Sequence, residues 1–354
     1  MSRFFSEKYA SLTPYTPGEQ PRDMKYIKLN TNESPFPPSP NAQRLAAEEL
    51  KKLQLYSDPT VKALADKATE VFGVNEDEIL FTNGSDEILN FAFMAFCDKE
   101  HPAVFPDITY GFYKVFAELN NVPYETIPLK EDFSIDPEEY IGLNKTIFIA
   151  NPNAPTGIAL PLSDIERIVA GNPDSVVVID EAYVDFGGES AIQLIPKYEN
   201  LLVTQTFSKS RSMAGARLGF GAGNKKLIQD MNTIKYSTNP YNVNRMTMAA
   251  GLGALMDGDY FRSCCETVIR NREWTFAQLT ELGFAVIPSK ANFLFAKHTE
   301  IPGGDIYAAL RKKGVLVRHF DSERLTDYNR ITIGSMEEMR AFIAKIKEII
   351  EEKL

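Results

Sequence analysis

Apolar runs of strand length alternate with helical patterns through the middle of this 354-residue chain. The clearest run, Ser-Val-Val-Val-Ile-Asp at 175–180, lacks the polar alternation of a half-exposed strand. Such a run is typical of a parallel sheet that is covered on both faces. Strands are predicted at 78–82, 103–105, 122–127, 146–150, 175–180, 200–206 and 217–221, and helices at 85–97, 109–120, 163–170 and 224–235. The alternation predicts an α/β fold with a mostly parallel, doubly wound sheet in a large domain.

The two ends of the chain differ from this middle part. The first 40 residues are rich in Pro, Asn and Thr and predict an extended arm, because proline interrupts helices. Further helices are predicted near 41–53, 60–72, 303–313 and 336–353 and within 242–281, and short strands at 284–287, 293–296, 315–319 and 330–334. The sequence therefore predicts an N-terminal arm at 1–40, a large α/β domain at 41–245 and a smaller α+β domain at 246–354.

Composition narrows the classes of function. The formal net charge of −10 argues against nucleic acid as the main partner, because phosphate backbones select basic surfaces. Three cysteines (Cys97, Cys264 and Cys265) make no disulfide framework, and the three histidines are scattered, so no metal site is expected. No apolar run approaches the roughly 20 residues of a membrane span, and the N-terminus lacks a signal-peptide pattern. We therefore expect a cytoplasmic protein without a membrane partner.

The segment 204–220 carries the strongest chemical signal. It supplies two hydroxyls, from Thr206 and Ser208, then Lys209 and, eight residues later, Arg217. A lysine can form a Schiff base with an aldehyde, and hydroxyls together with an arginine can hold a phosphate. The pattern indicates a phosphate-bearing aldehyde cofactor, and a strand-end surface loop is the alternative interpretation.

Two further segments place polar groups directly after predicted strands. Asp180 ends the buried run, where open α/β sheets bind ligands, and an Asp there can pair with a protonated ring nitrogen. Tyr183, three residues later, is a candidate donor to a ring oxygen. Gly84, Ser85 and Asp86 open a helical pattern whose free N–H groups make an anion site. A turn-capping Asp and an ordinary capped helix are the alternatives.

Three more candidates rest on weaker signals. Tyr110 follows a predicted strand and can stack on a planar ring, although most tyrosines are packing residues. The turn Asn151–Gly157 is stiffened by two prolines and either presents an Asn amide or is purely structural. Arg318 and Arg330 lie at predicted strand ends and suit recognition of a phosphate or carboxylate, or a surface salt bridge.

In this order and at these spacings, the segments resemble the fold-type I pyridoxal-phosphate aminotransferases, and the resemblance runs over nearly the whole chain. Within them the chain is similar to the histidinol-phosphate aminotransferase branch. The closer similarity rests on Leu12-Thr-Pro-Tyr15, Leu29-Asn-Thr-Asn-Glu33, Tyr56-Ser-Asp-Pro59, Asn83-Gly-Ser-Asp-Glu87 and the pair Arg318 and Arg330.

The resemblance implies a role for each matching residue. It makes Lys209 the Schiff-base lysine and the proton shuttle. It pairs Asp180 with the ring nitrogen of pyridoxal 5'-phosphate, bonds Tyr183 to the ring oxygen and stacks Tyr110 on the ring. The cofactor phosphate would be held by Gly84, Ser85, Asp86, Thr206, Ser208, Arg217 and, from the neighbouring subunit of a homodimer, Tyr56. The substrate would be faced by Tyr15, Asn32, Arg318 and Arg330.

One turn departs from the family's pattern. That pattern usually reads Asn-Pro-Thr-Gly, with the Asn bonding the ring oxygen. Here Ala154 stands at that position, and Asn153 precedes it. Either Asn153 takes the role through a shifted loop, or Tyr183 alone holds the oxygen. Our expectation favours Asn153.

The resemblance also implies a reaction. Histidinol phosphate and 2-oxoglutarate would give imidazole acetol phosphate and glutamate by ping-pong kinetics, a step of histidine biosynthesis. A broad aromatic or general amino-acid aminotransferase and a threonine-phosphate decarboxylase are alternatives within the same fold. A cofactor sensor without turnover is disfavoured, because such regulators carry a basic DNA-binding domain and this chain is acidic with a short arm.

Overall fold

The computed structural model describes residues 2–10, 12–16 and 18–353. The strands among them are β1 (Ile27–Lys28), β2 (Ile79–Thr82), β3 (Ala103–Pro106), β4 (Tyr124–Ile127), β5 (Thr146–Ala150), β6 (Val177–Asp180), β7 (Leu201–Thr206), β8 (Gly219–Gly223), β9 (Phe284–Ile287), β10 (Phe293–His298), β11 (Val315–Leu316), β12 (Arg318–His319) and β13 (Asn329–Thr332). The helices are α1 (Pro40–Glu49), α2 (Lys62–Phe72), α3 (Ser85–Phe96), α4 (Phe112–Asn120), α5 (Leu162–Ala170), α6 (Lys225–Thr238), α7 (Arg245–Met256), α8 (Gly258–Glu281), α9 (Gly303–Lys312) and α10 (Met336–Lys353).

Seven strands form the central sheet, in the order β2-β8-β7-β6-β5-β3-β4. Strands β3 to β7 pair in parallel, and β8 runs antiparallel to both of its neighbours. The predicted class, a mostly parallel sheet in an α/β domain, is therefore confirmed. The strand predicted at 217–221 begins only at Gly219, because Arg217 takes a left-handed backbone (φ 55°) that ends a short 3-10 turn.

Both faces of this sheet are covered, as the unbroken apolar runs predict. Successive strand residues alternate between two cores: Ile147 and Ile149 of β5 pack on one side, and Phe148 packs on the other. Helices α2 and α5 contribute to the first core, and α3, α4 and α6 contribute to the second. Phe148 stacks on Phe93 of α3 with ring centroids 4.1 Å apart. This burial on both faces accounts for the lack of polar alternation in the strands.

A second, antiparallel sheet has the order β12-β13-β10-β9 and packs with α8, α9 and α10 around a separate apolar core. The arm joins this part, since β1 pairs in parallel with β11 and Leu29 N–H donates to the Leu316 carbonyl at 2.8 Å. The arm also holds a short 3-10 turn at Glu7–Tyr9, ahead of its prolines.

Helix α7 follows the predicted domain boundary but packs against α1 and α2 of the large domain, whereas α8 packs on β9. We therefore propose a boundary near Asp257, between these two helices. None of the described helices has the length and apolar character needed to cross a membrane.

Candidate active site

The predicted cofactor residues converge at one edge of the central sheet. Strands β2, β3, β5, β6 and β7 end there and antiparallel β8 begins there, so the turns beyond them meet, as is usual for ligand sites in open α/β sheets. A cavity at this edge is lined by nine of the predicted residues: Ser85, Asp86, Tyr110, Asp180, Tyr183, Thr206, Ser208, Lys209 and Arg217.

Asp180 lies in the wall of this cavity and is buried. Its carboxylate accepts hydrogen bonds from the Tyr113 hydroxyl at 3.1 Å and from the Ala182 N–H at 3.2 Å. Burial raises the pKa of Asp180 to about 7, although both hydrogen bonds oppose that rise. A buried carboxyl of this kind suits a protonated ring nitrogen. Tyr113 was not singled out from the sequence. The one signal that could have identified it is its position three residues after Tyr110.

The other end of the cavity is suited to an anion. Arg217 donates to the Asp86 carboxylate at 2.8 Å and to the Ser208 hydroxyl at 3.5 Å, and Thr206 donates to Ser208 at 2.9 Å. Helix α3 begins beside them at Ser85, and its N-cap residue, Gly84, provides no side-chain cap. Cations, hydroxyls and uncapped helix amides are the groups that bind phosphate.

Two glycines make this close arrangement possible. A Cβ on Gly84, whose φ is +83°, would lie 2.6 Å from an Arg217 nitrogen. A Cβ on Gly219 would lie 2.3 Å from the backbone nitrogen of Ser85. Side chains at either position would separate Arg217 and strand β8 from the helix N-terminus. The residues present therefore fit a phosphate-bearing group.

Lys209 stands between this cavity and the arm. Its Nζ donates to the Thr31 carbonyl at 3.4 Å and lies 5.9 Å from the centroid of the Tyr183 ring. Tyr110, whose ring was predicted to stack on a bound ring, donates from its hydroxyl to Asp86 at 2.7 Å. The lysine thus faces the arm and Tyr183, and it lines the same cavity as Tyr110.

Asn153 is not where the sequence led us to expect it. Its amide nitrogen donates to the Ile108 carbonyl at 3.0 Å and to Thr156 Oγ1 at 3.2 Å, and its oxygen accepts from Thr109 at 2.8 Å. The side chain joins two loops and does not line the cavity, whereas the methyl group of Ala154 does. Because the Asn153 amide is fully used between these loops, the geometry argues against the predicted contact with a ring oxygen.

Asn32, predicted to face the substrate, also contacts a cofactor-side residue. Its amide donates to the Tyr183 hydroxyl at 2.9 Å. Asn32 lines an adjoining cavity of about 640 Å³, which shares Tyr110, Ala154, Tyr183 and Lys209 with the first. The sequence placed Asn32 near the site but gave no signal for this hydrogen bond.

The adjoining cavity contains the remaining predicted substrate residues, Tyr15, Arg318 and Arg330. The two arginines are directly opposite each other on β12 and β13. Arg330 donates to the Asn30 carbonyl at 3.2 Å, and its buried Nε has no hydrogen-bond partner among the described residues. Burial lowers the pKa of Arg330, and the charge of Arg318 adds to that effect. Like charges placed opposite each other repel, so the pair favours a bound anion.

An arginine that was not singled out from the sequence also lines this cavity. Arg324 donates to the Lys130 carbonyl at 2.7 Å and to the Asp107 carboxylate at 3.4 Å. It thereby links the loop after β12 to the loops of the large domain. Nothing in its local sequence distinguishes it from an ordinary surface arginine.

Tyr56 lines neither of these two cavities. It is 80% exposed, stacks on Tyr241 with ring centroids 4.6 Å apart, and its carbonyl accepts from Arg245 at 2.8 Å. Leu53 and Leu55 beside it are each 55% exposed. An apolar cluster of this kind on a surface typically marks a protein interface.

Comparison with known proteins agrees with this geometry. The family model described as aminotransferase class I and II matches residues 24–346. The histidinol-phosphate aminotransferase of Brachyspira hyodysenteriae is 51% identical over 353 residues, covering 99% of this chain and 100% of the relative. That of Clostridium acetobutylicum is 48% identical over 351 residues, covering 99% and 100%.

Solved structures give the same fold. The histidinol-phosphate aminotransferase of Sinorhizobium meliloti, in complex with pyridoxal-5'-phosphate, superposes with a TM-score of 0.91 at 23% identity, covering 100% of this chain and 99% of that one. The family match and the full-length relatives confirm the resemblance inferred from the sequence motifs. This chain belongs to the class I and II aminotransferase family.

Proposed function

We propose that the protein binds pyridoxal 5'-phosphate and transfers an amino group between histidinol phosphate and 2-oxoglutarate. The observation that carries the reaction type is the joined pair of cavities, in which Lys209 lies between buried Asp180 and the opposed arginines Arg318 and Arg330. The substrate choice is supported by relatives of that name at about half identity over their full length.

The chain's own groups hold the cofactor in this account. Arg217, Thr206, Ser208 and the amides at the start of α3 bind its phosphate, and Asp180 pairs with its ring nitrogen. When bound, the cofactor supplies an electron sink for the charge that develops on the substrate carbon. Lys209 Nζ moves the proton between the substrate carbon and the cofactor.

The opposed arginines hold the substrate. Arg330 and Arg318 present planar guanidinium groups that suit both a phosphate and a carboxylate. One site can therefore accept histidinol phosphate in the first half of a ping-pong cycle and 2-oxoglutarate in the second. Tyr15, which is 40% exposed and packs on Phe112 with ring centroids 4.3 Å apart, lies at the edge of this pocket.

The protein works as a homodimer in which Tyr56 reaches the cofactor phosphate of the neighbouring subunit. The exposure of Tyr56 and of the leucines beside it supports this arrangement. Mixing the inactive Lys209→Ala variant with Tyr56→Ala, at a limiting cofactor concentration, would restore about a quarter of the activity through mixed dimers with one complete site. If Tyr56 serves its own chain, mixing restores none.

The test of the reaction is a half-reaction on purified protein loaded with pyridoxal phosphate. Histidinol phosphate should convert the bound aldehyde form to the amine form, and tyrosine and phenylalanine should do so far less readily. Equal conversion by all three would favour a broad aminotransferase. Release of carbon dioxide from threonine phosphate, without turnover that depends on 2-oxoglutarate, would identify a decarboxylase instead.

A further inference from the structure

The position of Tyr183 depends on a residue outside the sheet. Its hydroxyl accepts a hydrogen bond from Asn32 Nδ2 at 2.9 Å, and among the described residues that is its one hydrogen-bond partner. Neighbouring Ala154 offers no polar side-chain group, and the amide of Asn153 is bound to other loops. The hydroxyl is therefore oriented from the arm rather than from the turn beside it.

The orientation of the Asn32 amide is fixed by its other contacts. The backbone N–H of Asn32 donates to Thr332 Oγ1 at 2.9 Å, so the Thr332 hydroxyl turns its own proton elsewhere. That proton points to Asn32 Oδ1 at 3.0 Å. With its oxygen facing Thr332, the amide presents Nδ2 to Tyr183 as a donor.

Asn32 is also held rigidly. It is 1% exposed, adopts a left-handed backbone with φ 55°, and its carbonyl accepts from Asn292 at 3.0 Å. Asn tolerates this backbone conformation better than most residues. Thr332 and Asn292 both belong to the small domain, whereas Tyr183 follows β6 of the large domain. Asn32 thus joins the two domains at the site.

We propose that Asn32 is a positioning residue for Tyr183. Because the tyrosine oxygen accepts from Asn32, its own proton is directed into the cavity, toward an acceptor such as the ring oxygen of the cofactor. The chain of contacts from Thr332 through Asn32 to Tyr183 sets this direction. The inference rests on the proposed binding of pyridoxal phosphate at Lys209.

The test follows the absorbance of bound pyridoxal phosphate as a function of pH, together with its dissociation constant. Asn32→Asp keeps the shape but offers only acceptors, so the Tyr183 proton turns away from the cavity. The pKa of the cofactor's absorbance change should rise by about one unit, and cofactor affinity should fall about tenfold. Thr332→Val should shift the pKa in the same direction by less, and Thr332→Ser, which keeps the hydroxyl, should restore it.

A double-mutant cycle decides whether Asn32 acts through Tyr183. In a Tyr183→Phe background, Asn32→Asp and Thr332→Val should add little further shift. Full additivity, or an unchanged pKa in both single variants, would overturn the proposal. Thermal unfolding of each cofactor-free variant identifies misfolded protein, and Thr332→Val, a buried change of equal size, supplies the test if Asn32→Asp does not fold.

Failure of the proposed function is recognised separately. If the unaltered protein shows no absorbance band from cofactor bound at Lys209, the cofactor assignment is wrong. If it shows the band but the Asn32 variants titrate like the unaltered protein, only the positioning role is wrong.

Discussion

The cavity at the sheet edge and the adjoining cavity share Lys209 and Tyr183 but are built in different ways. The first is made by turns after neighbouring strands of one sheet, all between Gly84 and Arg217. The second requires the arm to meet the small domain, through contacts such as Asn32 with Thr332, which are 300 positions apart. Sheet topology alone therefore assembles the first cavity, whereas the second depends on how the arm and both domains come together.

Because the two cavities are built differently, substitutions in each should impair a different property of the enzyme. Substitutions at the sheet edge should weaken the cofactor and leave substrate selection intact. Substitutions of the opposed arginines, Arg318 and Arg330, should change substrate selection and leave cofactor affinity intact. Loss of Lys209, which lines both cavities, should abolish the reaction.

The largest effect is expected at Lys209, which both cavities share. Lys209→Ala removes the amine that moves the proton, so turnover should fall by roughly three orders of magnitude or more. Steady-state kinetics with saturating cofactor measures this loss. Lys197→Ala, which removes a surface ion pair with Glu166 and a contact with the Tyr198 ring outside both cavities, is the matched control and should keep full activity. Activity of Lys209→Ala within tenfold of the unaltered protein would rule out the role.

A smaller effect is expected at Arg217, on the cofactor side alone. Arg217→Met removes a cation from the proposed phosphate site, so the dissociation constant of pyridoxal phosphate should rise about 10- to 100-fold. Fluorescence titration measures it. Once the cofactor is saturating, the preference for histidinol phosphate over tyrosine should be unchanged. A changed preference would mean that the two cavities are not separable.

A pH effect is expected in the cofactor-free protein from Asp180. Its pKa is raised by burial to about 7, so between about pH 4 and pH 7 the folded protein keeps a proton that the unfolded chain has released. The free energy of unfolding should therefore fall as pH rises through this window and level off above it. Asp180→Asn should remove on the order of 2–4 kcal/mol of this fall between pH 5 and pH 8.

Urea unfolding at the two pH values measures this difference. Glu181 is a second buried carboxyl whose pKa burial raises to about 7, but it is bound to Ser190 and Gln205 away from the cavity. Glu181→Gln is thus a matched control, with a similar pH effect and no loss of cofactor affinity. Identical pH profiles for Asp180→Asn and the unaltered protein would show that Asp180 is ionised in the fold.

The smallest effect on the cofactor is expected at Asn153. Asn153→Ala breaks hydrogen bonds between loops, so stability should fall by about 1–3 kcal/mol while cofactor affinity stays within about twofold. Thermal unfolding and cofactor titration measure the two quantities. If Asn153→Ala lowers cofactor affinity tenfold without changing stability, Asn153 contacts the cofactor after all.

The sequence was sufficient to expect the residues at the sheet edge to lie together, because they follow directly after strand ends. Asp180, Lys209 and the helix start at Ser85 needed only the pattern of strands and turns. The direction of a side chain within a turn could not be predicted from the sequence. For this reason Asn153 was assigned to the cavity, although Ala154 lines it. Contacts between the domains could not be predicted from the sequence either. The pairing of Arg318 with Arg330 depends on strand register, and the bond from Asn32 to Tyr183 depends on how the arm docks.

The account is tested most directly by single-turnover rates with histidinol phosphate and with histidinol, which lacks the phosphate. The unaltered protein should prefer histidinol phosphate strongly, because the phosphate meets the opposed arginines. In Arg330→Met that preference should fall about 100-fold or more, while pyridoxal phosphate binds with unchanged affinity. If the preference survives in Arg330→Met, or if the cofactor is lost with it, the division of the site into a cofactor cavity and a substrate cavity is contradicted.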